Sequence, residues 1–360
     1  MPTTASVRDL LRWRLAAHRV APPGVGVREV VDELLALQAQ DLAQGLWAVG
    51  ARTEATRADV LAAFDRGEIV RSWPMRGTLH ITRPDDLRWM LALTVTRTEQ
   101  GLTGRYRQLG LDGDDLDRAA DVTRRELSGR RMTRDEFART MESAGIGMTG
   151  QRAPHVIGHL ARRQIVVWGP SATKQQSLVL FDEWAPPSLP PPSRDESLGL
   201  FAAGYLRGRG PASVRDFAWW SGLTLADARA GFAGLGDRLE AVEVEGSEYW
   251  MLAASALPTA PLEGVHLLAG FDEYLLGYRD RSHPLAGAYL ERVVPGANGI
   301  FFAIIVCDGR IVGTWRREIA REAVTVTIDP FEPLTRAQLE GVELEVARFG
   351  RFHGLPAQMR

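Results

Sequence analysis

Apolar residues recur at helical spacing over residues 6–20 (SVRDLLRWRLAAHRV) and again over 26–37, with Pro22-Pro23-Gly24 breaking the chain between them. The second run closes on Leu34-Leu35-Ala36-Leu37-Gln38-Ala39-Gln40-Asp41, where two glutamines stand one alanine apart. Residues two apart point to opposite sides of a helix but to one side of an extended segment, so a helix ending near Leu37 lets both amides face one cavity. Thr56 caps a further helix over 57–66, with an acid, Asp59, three residues on and Gly67 as its stop. Residues 69–82 carry Trp73-Pro74-Met75-Arg76-Gly77 between β-prone flanks, which predicts a hairpin weakened at the proline. In its return strand Thr78, His80 and Thr82 share a face.

Helices followed by a hairpin make a winged-helix pattern, and the pattern repeats. Residues 84–110 and 115–127 read as helices, Thr133-Arg134-Asp135-Glu136 opens another with a capping box, and 153–164 forms the next. Segments 165–168 and 177–181 then flank a polar tip that carries Lys174. A proline-rich linker, 186–192, leads to a third set: helix 198–207, helices capped by Ser213 and Thr224, and a hairpin over 239–252. From 258 the texture is β-rich, with Asp308-Gly309 as a hairpin turn and 335–350 as a closing helix. The predicted class is α+β: three tandem winged helix-turn-helix units followed by a β-rich C-terminal domain. The boundaries fall at 1–110, 111–185, 186–257 and 258–360.

Composition fits that picture. The 360 residues are 45% hydrophobic and 24% charged, as expected of a folded chain with ordinary cores. The single cysteine, Cys307, allows no internal disulfide and no cysteine cluster for zinc. No run approaches the length of a membrane helix, and the N-terminus lacks a signal-peptide pattern, so the expected location is cytoplasmic. Net charge is only −2, so affinity for nucleic acid has to come from local distribution. Lys174 is the sole lysine. Arginine suits phosphate and guanine edges, but its abundance also follows from a GC-rich coding sequence and carries little weight.

Several residue groups could carry chemistry, each with a plainer alternative. Gln38 and Gln40 could hold a water or grip a base edge, yet glutamines at a helix end are often just solvated. Arg76, Thr78 and His80 could line a site or decorate a hairpin. Asp272 and Glu273 could be a base or metal site at a strand end, but a salt bridge to Arg279 or Arg281 is the favoured reading. Arg279 and Arg281 share a strand face near His283 and could meet a phosphate backbone. His155 and His159 stand four apart on a helix but have no third ligand nearby, so no metal is expected. The Asp308-Gly309-Arg310 hairpin could wedge a minor groove or be structural, and Lys174 on its wing could contact phosphate.

Four blocks, taken in order, sharpen this: LLALQAQD around Gln38, Trp73-Pro74-Met75-Arg76-Gly77-Thr78-Leu79-His80, Phe271-Asp272-Glu273-Tyr274-Leu275-Leu276-Gly277-Tyr278-Arg279-Asp280-Arg281, and Asp308-Gly309-Arg310-Ile311-Val312-Gly313-Thr314-Trp315-Arg316-Arg317. Together they resemble the AlkZ/YcaQ-type winged-helix DNA glycosylases. The resemblance implies a C-shaped DNA-binding architecture and a catalytic pair at Gln38 and Gln40. It also implies a lesion site lined by Thr78 and His80 with Arg76 on a phosphate. The implied activity is monofunctional excision of cationic alkylated purines, N7-alkylguanine above all, from double-stranded DNA. Bulky adducts and interstrand crosslinks are within the implied range, in some relatives as self-resistance to a genotoxic product. No cofactor is expected, and internal repeats make a monomer reasonable. Lys174, Arg279, Arg281 and Arg310 are the expected DNA contacts. The alternative is a winged-helix regulator or lesion sensor without catalysis, and a third possibility is a protein-interaction module with no affinity for DNA.

Overall fold

A computed structural model describes residues 3–20, 25–172, 175–188, 190–253, 255, 264–297 and 299–360. The chain divides into two compact units, one built from Met1–Val60 with Leu198–Arg360 and the other from Leu61–Ser197. The first is therefore discontinuous in sequence.

In the discontinuous unit, Ser6 and Asp9 form a capping box that opens the helix Val7–Ala17. The helix Val27–Leu34 stops earlier than the apolar run predicts, because Leu35 turns to a φ of 62°. Ala36–Gln38 is then extended. Asp41 caps the helix Leu42–Gly50, which the polar–apolar pattern does not reveal. Residues Gly45 to Gly50 are all buried, so that helix has no polar face to set its period. Val214–Ser221 and Leu225–Ala233 follow caps at Ser213 and Thr224 as expected. The hairpin of Leu239–Val244 and Ser247–Leu252 turns on Glu245 and Gly246, and Thr3–Thr4 extends it as a parallel edge.

The C-terminal part holds a sheet ordered Ala357–Met359, Val324–Pro330, Arg310–Ile319, Ala303–Cys307 and Val265–Leu268. Asp308 and Gly309 have φ values of 49° and 83°, the mirror-image turn that an Asp-Gly pair favours. The closing helix, Arg336–His353, lays Phe349 and Phe352 edge-on against Trp47 at 4.8 and 5.2 Å. The indole N–H groups of Trp47 and Trp315 donate to the carbonyls of Leu267 and Leu268, so both large side chains are buried with their polar atoms satisfied.

In the continuous unit, Val70–Met75 and Thr78–Thr82 form the predicted hairpin. Ser72 faces His80 while Met75 faces Thr78, so the register shifts across Trp73-Pro74, where proline cannot donate to the ladder. Val166–Ala172 and Gln175–Leu180 pair as a second hairpin that joins the first through Arg71 and Trp168. The helices Pro84–Gln108, Gly113–Leu127, Arg134–Ser143 and Arg152–Arg162 come in the expected order, the third opened by the Thr133–Glu136 capping box. They enclose a core of Phe137, Met141, Ile146, Val156, Ile157 and Leu160.

Candidate active site

The segment bearing Gln38 is fixed by its backbone. Leu35 has φ 62° and ψ −49°, a conformation that a side chain disfavours, and strain of this kind collects where a structure must aim a residue. Two glycines of the helix Arg194–Arg209 lie on the bend. A Cβ on Gly208 would stand 2.9 Å from the Glu33 carbonyl oxygen and the Leu34 Cα, and one on Gly204 2.8 Å from Leu35 Cδ2. From the end of that helix Arg209, fully buried, donates to the carbonyls of Leu34 (2.8 Å) and Ala36 (2.7 Å). The Leu34 carbonyl is one that a helix end leaves without an internal partner.

Glu273 completes the clamp. Its Oε1 accepts from the Gln38 backbone N–H at 2.9 Å. Its Oε2 accepts from the Trp220 indole at 2.7 Å and from Arg209 Nη2 at 2.8 Å. The adjacent Asp272 caps the short helix Glu273–Leu276 through the Tyr274 N–H and forms a bidentate pair with Arg52 at 2.8 and 2.9 Å. The expected strand end is corrected to a short helix, and the ion-pair partners found are Arg52 for Asp272 and Arg209 for Glu273. Both acids are buried, and a buried carboxylate needs a buried partner, whereas Arg279 is exposed. Arg52, Arg209 and Trp220 are the partners of these acids that sequence reasoning missed. The available signal was two adjacent acids enclosed by Phe271 and Tyr274-Leu275-Leu276, a setting that asks for buried cations.

The two glutamines differ in setting. Gln38 is buried, and its Oε1 accepts from the Gln40 backbone N–H at 3.3 Å. Gln40 is exposed. Asp41, next in line, accepts from the N–H groups of Ala43 and Gln44, so the pair leads directly into a helix N-terminus. The arrangement offers amide and backbone groups, and both oxygens of Glu273 are committed to the clamp.

In the other unit, Arg76 and Gly77 form the hairpin turn at φ 53° and 70°, with Arg76 half-buried. His80 is fully buried, and its Nδ1–H donates to the Thr78 carbonyl at 2.9 Å. That bond places a proton on Nδ1 and fixes the ring's orientation. The Thr78 hydroxyl oxygen is shielded from solvent and has no hydrogen-bond partner among the described residues.

The remaining candidates scatter. Lys174 lies outside the described residues. Arg279 and Arg281 occupy a loop, not a strand face. Arg281 is half-buried, with Nε donating to the Leu275 carbonyl at 3.0 Å. Arg310 is exposed. The Asp308-Gly309 turn is packed at its glycine. A Cβ on Gly309 would stand 2.8 Å from Leu11 Cβ, and the Tyr274 hydroxyl donates to its carbonyl at 2.7 Å, while Asp308 and Arg310 on either side are exposed. His159 Nδ1 lies 3.1 Å from Glu99, whose other oxygen accepts from Arg162. Burial works to raise the Glu99 carboxyl, but the His159 hydrogen bond and the Arg162 charge outweigh it and hold it at about 2.

The sequence profile described as DNA glycosylase AlkZ-like matches residues 31–352. This chain belongs to the AlkZ-like DNA glycosylase family. A curated relative, the interstrand DNA cross-link repair glycosylase of Streptomyces sahachiroi, is 29% identical, with 98% of this chain and 97% of the relative covered. The solved structure of Streptomyces sahachiroi DNA glycosylase AlkZ superposes with a TM-score of 0.82 at 28% identity, covering 99% of this chain and 100% of that one. The family match spans every block from Gln38 to Arg317. Among the described residues of this AlkZ-like glycosylase no helix is long and apolar enough to cross a membrane.

Proposed function

We propose that this AlkZ-like glycosylase excises cationic alkylated purines, N7-alkylguanine foremost, from double-stranded DNA by water attack on the N-glycosidic bond. The observation that carries the reading is the clamp. Gln38 is held through its backbone by Glu273, whose two oxygens are both engaged, and the adjacent Asp41 caps a helix, so the segment offers polar positioning without a strong base. Glycoside hydrolysis ordinarily employs a carboxylate acid and base. An N7-alkylated purine already carries positive charge and leaves without being protonated. Positioning water and stabilising an electron-poor sugar then suffice. Gln38 and Gln40 orient the water. Its oxygen bonds to C1′, the C1′–N9 electron pair neutralises the departing purine, and the released proton passes to solvent. The curated relative's description as a cross-link repair enzyme supports extending the range to bulky and cross-linked guanines.

The same proposal places Arg76, Thr78 and His80 against the sugar–phosphate of the damaged nucleotide, and Lys174, Arg279, Arg281 and Arg310 along the DNA backbone. It retains three winged-helix units at 1–110, 111–185 and 186–257 with a β-rich domain at 258–360, and a cytoplasmic monomer. The deciding experiment is base release from a duplex with one N7-methylguanine. Alkali-labile sites above the spontaneous rate, lost in Gln38→Ala and Gln40→Ala, are expected. Salt-sensitive duplex binding with no release from methylated or bulkier adducts would favour the regulator instead.

A further inference from the structure

Beside the segment that carries Gln38 and Gln40, planar side chains stand in a row. The Arg281 guanidinium lies 4.7 Å from the Trp219 ring centroid and 5.2 Å from that of Phe301. Phe301 in turn meets Phe271, with centroids 5.9 Å apart. Trp219, Arg281, Phe301 and Phe271 are all half-buried, whereas Trp47, Trp220 and Trp315 are buried completely.

Both ends of the row are tied to the clamp. Phe271, at a φ of 60°, directly precedes Asp272 and Glu273. The Gly270 N–H donates to Gln44 Oε1 at 2.8 Å, and the Gln44 N–H is itself capped by Asp41, the residue after Gln40. A Cβ on Gly270 would stand 3.0 Å from the Phe301 carbonyl and 3.2 Å from the Gln44 amide, so the row begins at the helix turn that follows the glutamines. At the other end Trp219 adjoins Trp220, which donates to Glu273. Arg281 is pinned through Nε to the Leu275 carbonyl, which holds its guanidinium near both rings.

Half-buried aromatic rings set around a guanidinium form a stacking surface for planar π-systems and discriminate poorly by hydrogen bonding. A substituent on the reacting guanine is tethered to the nucleotide on which Gln38 and Gln40 act, so it is presented to whatever lies beside them. We infer that the row Trp219–Arg281–Phe301–Phe271 is a recognition shelf for a planar aromatic group borne by the alkylated base. The inference deepens the glycosylase reading and rests on it.

The test compares two duplexes, one with a single N7-benzylguanine and one with N7-methylguanine. Binding is measured on 2′-fluoro versions that resist base loss, and excision on ordinary ones. Trp219→Leu and Phe301→Leu keep apolar volume but remove the ring face, and Phe301→Tyr retains it. Each leucine variant, matched to wild type by thermal melt, is expected to weaken benzyl-duplex affinity about tenfold while changing the methyl duplex less than about twofold. Phe301→Tyr is expected to keep the preference. Wild type binding both duplexes alike, leucine variants losing both equally, or a tyrosine variant without preference would each overturn the shelf. If wild type releases neither base yet prefers the benzyl duplex through these residues, the shelf stands and the glycosylase reading falls.

Discussion

At the residue scale, Glu273 is a positioning group. It touches the backbone of Gln38 and is matched by donors from Arg209 and Trp220. Glutamine in its place must turn an NH₂ toward one of those donors and leaves Arg209 as a buried charge without its counterion. We expect Glu273→Gln to cost about 3–5 kcal/mol of stability in a denaturant melt. In the fraction that stays folded, base release should fall more than duplex affinity does. Asp272→Asn should cost stability through Arg52 by the same logic, but without altering the Gln38 N–H directly. A release rate equally reduced in both variants would contradict the separate role given to Glu273.

At the scale of elements, the close approach of the helix Arg194–Arg209 to the Leu35 bend makes a second prediction. An added methyl at Gly208 meets backbone atoms, which cannot swing away, while one at Gly204 meets the flexible end of Leu35. Gly208→Ala should therefore cost about 1–3 kcal/mol and depress base release, with Gly204→Ala milder on both counts. Equal melts for the two variants would argue against the helix as the support of the bend. The caps at Thr56, Thr133, Ser213 and Thr224 and the turns at Asp308-Gly309 and Arg76-Gly77 were legible because they depend on nearest neighbours. The Leu42–Gly50 helix and the early stop at Leu35 were not, since tertiary burial decides both. Gln38 and Gln40 stood out through resemblance, but the partners of Glu273 come from remote segments that no local spacing announces. The short parallel edges at Thr3–Thr4 and Ala357–Met359 went unread for the same reason.

Acid sensitivity belongs to the whole molecule. Burial, reinforced by Arg52, Arg209 and Arg14, keeps His18 well below its ordinary value of 6.5, and its Nε2 meets the Tyr278 hydroxyl at 3.0 Å. Burial together with Arg348 and Arg52 takes His266 down to about 4, and burial with Arg57 and Arg317 does the same to His353. A folded-state value below the unfolded one means that the unfolded chain binds protons first. The contribution of His266 and His353 is thus complete above pH 6.5 and is lost as pH falls toward 4. Glu99 adds a later loss, complete above its ordinary 4.5 and disappearing toward pH 2. Melting temperature should decline between pH 6.5 and 4, and His266→Gln should flatten that decline. An unchanged slope in the variant would exclude His266 as a source.

The bond from Gln38 to Glu273 spans 235 positions, and the whole of Leu61–Ser197 is synthesised in between. On the ribosome, the glutamine segment emerges early but stays unclamped through most of translation, with the strained Leu35 free to relax. Arg209 leaves the exit tunnel before its carboxylate does. A nascent chain stopped short of Glu273 thus carries the glutamines without the carboxylate that holds them.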